Sequence, residues 1–231
     1  MFRFKIVLPS FSVLLFPIAQ NTHAEQLKPI SVTDTVIQSS SSHKPATVET
    51  DVTALMEKIP GGGIHSNGAI SGQTHYRGIF GPRMNVLIDD TRIESGGPNW
   101  MDPPLHYMPN TLVESFEVER GIDSVSNGST LGNTVKVTPK SSEFSDSDKF
   151  MLQSDIELSA HSVDSGYNAG GIVGIANDQH RFHITGSHDD GDDFRSGGGD
   201  IDGTEYERSS AGAGYGVQLG RHELSFDARY V

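Results

Sequence analysis

Three side chains with soft or borderline donor atoms lie within eight residues of one another, namely Met101, His106 and Met108. Methionine thioethers favour Cu(I), and the imidazole of histidine suits copper and zinc. This spacing predicts a transition-metal site within residues 95–109. The same segment contains residues that stiffen or pack a loop: Trp100, Pro103, Pro104 and Pro109. A purely structural loop in which methionine fills space is therefore the alternative.

A second group of candidate ligands is acidic and occupies residues 188–193 and 200–203. Its carboxylates can bind a hard cation such as Ca²⁺, and His188 with an aspartate can bind copper or zinc. The spacing matches no EF-hand, so a solvated loop is the alternative. Three further histidines, which the pattern places on polar strand faces, are interpreted as ordinary polar residues: His161, His183 and His222.

No pattern of residues predicts catalysis. The sequence contains no cysteine, no glycine-rich phosphate loop followed by a helix, and no nucleophile elbow. We therefore predict that the protein is not an enzyme and requires no cofactor. The net charge of −13, from 30 acidic and 17 basic residues, excludes nucleic acid as a partner because its phosphates would be repelled.

The N-terminal residues have the pattern of a secretory signal. Arg3 and Lys5 precede a mostly apolar stretch at 6–19, and residues 22–24 form a small-residue cleavage site. We predict that residues 1–24 are a signal peptide and that the mature chain lies outside the cytoplasm. A membrane anchor is the alternative, although the apolar stretch is short and contains prolines.

The rest of the chain divides into three parts by composition. Residues 25–50 are polar, contain a β-prone stretch at 32–38, and are predicted to be a flexible segment. Residues 51–140 combine a short helix, capped by Thr50 and Asp51, with short strands bounded by Gly or Pro, as in a compact α+β domain. Its predicted core consists of Leu55, Ile59, Ile79, Val86, Ile88, Leu112, Phe116, Val118 and Val137.

Residues 150–231 alternate between apolar and polar side chains, which predicts about five half-buried strands. Their length and their short and long connections are typical of an outer-membrane barrel, with lipid around it. A plugged barrel needs about 22 strands, so we expect the chain to be a fragment of a larger protein or a truncated product.

Four segments, in this order, resemble the plug domain of TonB-dependent outer-membrane receptors: Arg77-Gly78, Val86-Leu87-Ile88-Asp89, Glu117-Val118-Glu119-Arg120-Gly121, and residues 127–135. Asp90 and Asn133 stand where this family has glycine, and both residue types tolerate positive φ. The resemblance implies an α+β plug domain followed by the first antiparallel strands of a transmembrane β-barrel, with the barrel incomplete. It also implies energy-coupled uptake across the outer membrane of a Gram-negative bacterium.

The resemblance also implies a protein partner. The family binds the TonB energy transducer complex through a segment called the TonB box, which adds as a strand to the transducer. The residues in the corresponding position here are Asp34, Thr35, Val36, Ile37 and Gln38.

Within the family, residues 96–107 are similar to the copper receptors, through Gly96-Gly97, Asn99, Met101-Asp102-Pro103-Pro104 and Tyr107. The resemblance implies that Met101, Met108 and His106 bind copper as a transported substrate. The copper receptors have a cysteine four residues before this methionine, where the present chain has Gly97. A receptor for a metal chelate (a siderophore, haem or cobalamin) is the alternative within the family. A secreted, soluble metal- or calcium-binding β module is the alternative from another class.

Overall fold

The computed structural model describes residues 39–43, 49–121, 127–128, 130 and 133–231. Secondary structure in these residues consists of strands and short 3-10 helices, without an α-helix. The strands, in chain order, are β1 Ser39–His43, β2 Gly62–Ser66, β3 Gly72–Tyr76, β4 Ile79–Phe80, β5 Asn85–Ile88, β6 Thr91–Arg92, β7 Val113–Arg120, β8 Asn133–Pro139, β9 Met151–Ala160, β10 Tyr167–Ala176, β11 His180–Gly191, β12 Phe194–Ser196, β13 Gly199–Ile201, β14 Tyr206–Leu219 and β15 His222–Tyr230. The 3-10 helices are Val52–Lys58, Gly81–Arg83, Pro98–Trp100, Pro104–Tyr107 and Asn110–Leu112.

The helix expected after Thr50 and Asp51 is present as a 3-10 helix rather than an α-helix. Asp51 caps it, since its Oδ1 accepts a hydrogen bond from the backbone N–H of Thr53 at 2.9 Å. The other carboxylate oxygen of Asp51 accepts from the N–H of Gly72 at 2.7 Å, which ties the helix to β3. One aspartate therefore fixes both the start of the helix and its position on the neighbouring sheet.

The N-terminal half contains a five-stranded sheet in the order β1-β7-β8-β5-β6 and a three-stranded sheet in the order β2-β3-β4. Strands β5 and β8 are parallel, and the other pairs are antiparallel. Eight of the nine predicted core residues are buried, while Ile79 is half-buried against them. The core also contains residues that the sequence pattern did not indicate: Tyr76, Met84, Leu105, Met108, Val113 and Val135.

The C-terminal half contains a five-stranded antiparallel sheet in the order β15-β14-β11-β10-β9. The sheet is open, with β9 and β15 at its edges. One face carries buried polar side chains: Asn168, His183, Ser187, Asp189, Arg208 and Ser210. The opposite face exposes large apolar side chains: Ile156, Leu158, Val173, Ile175, Phe182, Ile184, Leu224 and Phe226. A polar inner face and an apolar outer face are typical of outer-membrane barrel strands.

The structure does not test three of the sequence predictions: the signal peptide, the TonB-box segment and the domain limits. The predicted signal peptide at 1–24 and the segment 34–38 lie outside the described residues. The domain limits at 51–140 and 150–231 stay predictions. In the part of the chain that the structure describes, no helix has the length and apolar character needed to cross a membrane.

Candidate functional site

The segment predicted to bind metal forms a closed loop on the surface of the N-terminal half. Gly96 and Asp102 form an isolated antiparallel bridge, with N–O distances of 3.0 and 3.3 Å in the two directions. The hydroxyl of Ser95 donates to the carbonyl oxygen of Asp102 at 2.7 Å and reinforces this closure. Asn99 and Trp100 at the turn have φ values of 56° and 54°. Such backbone angles persist only where the surrounding contacts hold them.

Trp100 anchors this loop to the rest of the domain. Its carbonyl oxygen accepts a hydrogen bond from the side-chain amide of Gln73 in β3 at 2.7 Å. Its ring packs over Gly81, where an added Cβ would lie 3.3 Å from the indole. The loop is therefore held at its closure and at its side, and Met101 follows directly after the anchor.

The three predicted donors lie in different surroundings. Met101 is 61% exposed, whereas Met108 is fully buried in the hydrophobic core. The sulfur of Met108 also lies 3.8 Å from a guanidinium nitrogen of Arg229 in β15. The two thioethers thus differ in access: one faces solvent and the other is covered. Their joint role in a metal site stays a prediction.

His106 is half-buried and already oriented. Its Nδ1 lies 2.9 Å from the carbonyl oxygen of Ile70, which can only accept, so Nδ1 carries the proton. In the neutral ring, Nε2 then has a free lone pair, which is the arrangement commonly found in metal-binding histidines. The His106 ring also meets the ring of Tyr107 edge-on, with centroids 5.6 Å apart.

Asp102 and Tyr107 interact across the base of the loop. The Tyr107 hydroxyl donates a short hydrogen bond to Oδ2 of Asp102. This hydrogen bond, together with desolvation and the negative charge of Asp102, raises the pKa of Tyr107. The carboxylate of Asp102 is therefore engaged in holding the loop closed. Among the described residues, no group of three or more His, Cys, Asp and Glu side chains is arranged to hold a metal ion.

Two side chains of the acidic segment, His188 and Asp193, form hydrogen bonds with neighbouring strands and loops. Oδ1 of Asp193 accepts from the backbone N–H groups of Thr204 and Glu205, at 2.7 and 3.1 Å. These hydrogen bonds, led by the one from Thr204, lower the pKa of Asp193. His188 contacts the hydroxyl of Ser209 through Nδ1 at 2.8 Å. Asp193 therefore closes the base of the β12–β13 hairpin.

A junction between the two halves is centred on Arg208 in β14. Its guanidinium donates to Oδ2 of Asp189 in β11 at 2.7 and 2.9 Å, and both side chains are buried. It also donates to the carbonyl oxygens of His106 at 2.9 Å and Thr50 at 3.3 Å. One barrel-strand arginine thus holds both the start of the N-terminal domain and the segment of the predicted donors. Sequence reasoning missed this role because the partners lie 102 and 158 residues away.

A small domain of strands and 3-10 helices, packed on strands with a polar inner and an apolar outer face, defines the class of plugged outer-membrane receptors. Residues 28–135 match the family described as TonB-dependent Receptor Plug Domain, and this part of the chain belongs to that family. The predicted family, the predicted fold class and the outer-membrane location in a Gram-negative bacterium are thereby confirmed.

Solved receptor structures share the fold. The copper transporter OprC has a TM-score of 0.72 and 21% identity, over 82% of this chain and 30% of its own. The siderophore receptor PirA from Acinetobacter baumannii has a TM-score of 0.62 and 15% identity, over 82% and 31%. The FrpB iron transporter from Neisseria meningitidis (F3-3 variant) has a TM-score of 0.61 and 16% identity, over 79% and 29%. The chain therefore spans about 30% of the length of these structures. No curated protein matches it.

Proposed function

We propose that this chain is the N-terminal part of a TonB-dependent transporter that takes up copper across the outer membrane. The observation that carries the proposal is the position of Met101. This residue is 61% exposed on a loop whose backbone is held on both sides. Methionine is an apolar residue that usually fills gaps in a core, so an exposed thioether on a rigid loop favours a ligand for a soft ion. The similarity of fold to the copper transporter OprC agrees with this choice.

The energy for uptake would come from the TonB transducer complex. Residues 34–38 are the proposed contact, through addition of a strand to the transducer. Pulling on this segment would act first on β1, which directly follows it and pairs with β7, and then on the start of the plug at Thr50, whose carbonyl oxygen accepts a hydrogen bond from Arg208. The junction at Arg208 is thus placed to transmit or resist that force.

Uptake of a metal chelate is the second candidate. Trp100, next to Met101 in the chain, is 37% exposed, and Tyr107, which donates to Asp102, is 40% exposed. Exposed aromatic rings suit a large, partly apolar chelate better than a bare ion. The similar structures also include the siderophore receptor PirA and the ferric enterobactin receptor PfeA.

The two candidates are separated by titrating the protein, kept in detergent, with Cu(I) and with a ferric siderophore. We expect Cu(I) to bind and Met101→Leu to weaken it, because this change keeps volume and removes the sulfur. Met108→Leu tests whether the buried thioether contributes, and Met56→Leu, in the core, is the matched control. Equal Cu(I) affinity in all four proteins, or no Cu(I) binding, would contradict the copper proposal. Tight binding of the ferric chelate alone would favour the second candidate.

A further inference from the structure

The β2–β3 hairpin of the plug carries two histidines on one face. In the antiparallel register, His65 lies opposite Gln73 and His75 lies opposite Gly63. The two histidines are therefore diagonal neighbours, within reach of each other for long side chains. Their rings are in contact, with centroids 4.7 Å apart and planes inclined by 33°.

Glycine at position 63 makes this contact possible. A Cβ added to Gly63 would lie 2.6 Å from two atoms of the His75 ring, closer than real side chains approach. The His75 ring therefore lies across the backbone of β2 at the position that a side chain would fill. On the other side, Phe80 meets the His65 ring edge-on at 6.5 Å. The pair is thus positioned by its neighbours on both sides.

The ring nitrogens of this pair differ from those of three other described histidines in their hydrogen-bond partners. His106, His183 and His188 each contact a protein oxygen through a ring nitrogen. Among the described residues, neither His65 nor His75 has such a partner. His65 is exposed and His75 is half-buried, so their nitrogens are accessible from solvent. Two adjacent imidazoles without protein partners have the donors that a borderline metal ion prefers.

We propose that His65 and His75 form a binding site for a borderline divalent cation such as Cu(II) or Zn(II). Imidazole nitrogens bind such ions at about 2.0–2.1 Å, so two nitrogens lie about 3.4 Å apart on a tetrahedral zinc ion and about 2.9 Å apart in adjacent positions on a tetragonal copper ion. Rings with centroids 4.7 Å apart reach either spacing through rotations of the side chains. Two protein ligands leave further coordination positions to water, which is typical of an exchanging site rather than a structural one.

This site is chemically distinct from Met101 but lies beside it. Gln73, which faces His65 across the hairpin, donates to the carbonyl oxygen of Trp100. The imidazole pair would bind the divalent ion, whereas a thioether favours Cu(I). The inference does not depend on copper being the transported substrate, because the pair would bind Cu(II) in a receptor for iron chelates as well.

The test is the electron paramagnetic resonance spectrum of Cu(II) added in equimolar amount to the protein in detergent, purified without a histidine tag. We expect hyperfine coupling to two imidazole nitrogens in the wild type. We expect one nitrogen in His65→Gln and in His75→Gln, and loss of the signal from bound Cu(II) in the double variant. The exposed His222 in β15 offers the matched control, so His222→Gln should keep the wild-type spectrum.

Two outcomes would overturn the inference: a two-nitrogen spectrum that survives in both single variants, or a wild-type spectrum without nitrogen coupling. Unchanged thermal unfolding of the metal-free variants shows that a lost signal is not caused by misfolding. Cu(I) binding to Met101→Leu is measured separately, so failure of the thioether site and failure of the imidazole site are distinguished.

Discussion

At the scale of single residues, the candidate loop combines a rigid backbone with one accessible sulfur. Gly97 has a φ of 71°, and a Cβ at this position would meet no atom within 4 Å. The position therefore has room for a side chain, although a non-glycine residue would be strained there. The copper receptors that this segment resembles have a cysteine here, so the present chain lacks a thiolate beside Met101.

Replacing this glycine should restore the missing donor. We expect Gly97→Cys to bind Cu(I) more tightly than the wild type, because a thiolate is a stronger ligand for soft ions. The backbone at Gly97, with a φ of 71° and a ψ of 172°, lies in a region essentially restricted to glycine, so a side chain there should cost about 1–3 kcal/mol of stability. Gly97→Ala has the same strain without the sulfur and is the control. Titration with Cu(I) and thermal unfolding measure the two effects, and equal affinity in both variants would show that this position does not face the metal.

A second residue-scale prediction concerns pH. The pKa of Asp193 is lowered in the folded protein by the N–H groups that it accepts, so its carboxylate stabilises the β12–β13 hairpin when ionised. This stabilisation is present above the ordinary pKa of about 3.9 and is lost as the pH falls through the lowered value. We expect the Thr204 and Glu205 amides to lose protection from hydrogen exchange at acidic pH. Asp193→Ala should show the same loss at neutral pH, and full protection in this variant would refute the assignment.

At the scale of elements, β14 contacts the plug through Arg208, which also forms a buried ion pair with Asp189 in β11. Arg208 and Asp189 expose only 3% and 1% of their side chains. Burial of two charges is costly, and the pair is tolerated because each partner is satisfied: Asp189 by Arg208, and Arg208 also by two carbonyl oxygens.

Removing one partner should therefore be more damaging than removing both. We expect Asp189→Asn to lower the free energy of unfolding by about 3–5 kcal/mol, because it leaves the charge of Arg208 buried without a counter-charge. The double change Asp189→Leu with Arg208→Met should cost less. The exposed pair of Arg92 and Glu94 is the control, and Glu94→Gln should cost about 0–1 kcal/mol. Unfolding in urea measures all three, and equal losses for Asp189→Asn and Glu94→Gln would argue against a structural role of the junction.

At the scale of the whole molecule, the plug and the five barrel strands form one unit with two open edges. The edge strands β9 and β15 present unpaired backbone groups, and the outer face of the sheet exposes large apolar side chains. Such a surface is stable only against lipid and further strands.

The proposed coupling to the transducer makes a prediction for transport. In the full-length protein, we expect Val36→Pro to abolish uptake and leave substrate binding unchanged, because proline removes a backbone donor and blocks strand addition. Leu27→Pro, in the same polar segment but outside the β-prone stretch at 32–38, is the control. Uptake of radioactive copper by whole cells is the measurement, and uptake at the wild-type rate in Val36→Pro would show that this segment is not the TonB box.

Local patterns in the amino-acid sequence were sufficient for the family, the fold class and most of the core. Alternation with a period of two depends only on neighbouring residues, so the polar and apolar faces of the barrel strands could be predicted without coordinates. The capping role of Asp51 and the strand at Val86 and Ile88 could be predicted for the same reason, because each depends on residues close by in the chain. The 3-10 form of the first helix was not predicted, and the hydrogen bond that ties Asp51 to Gly72 in β3 could not be read from the local pattern.

The arrangement of the candidate sites required the folded structure. Spacing along the chain placed Met101 and Met108 in one group, but burial separates them, since burial is set by residues far away in sequence. The pairing of His65 with His75 depends on the register of β2 with β3 and on the absence of a side chain at Gly63. The junction at Arg208 joins residues up to 158 positions apart. Such contacts arise from packing between distant elements, and a pattern within one segment carries no information about its distant partner.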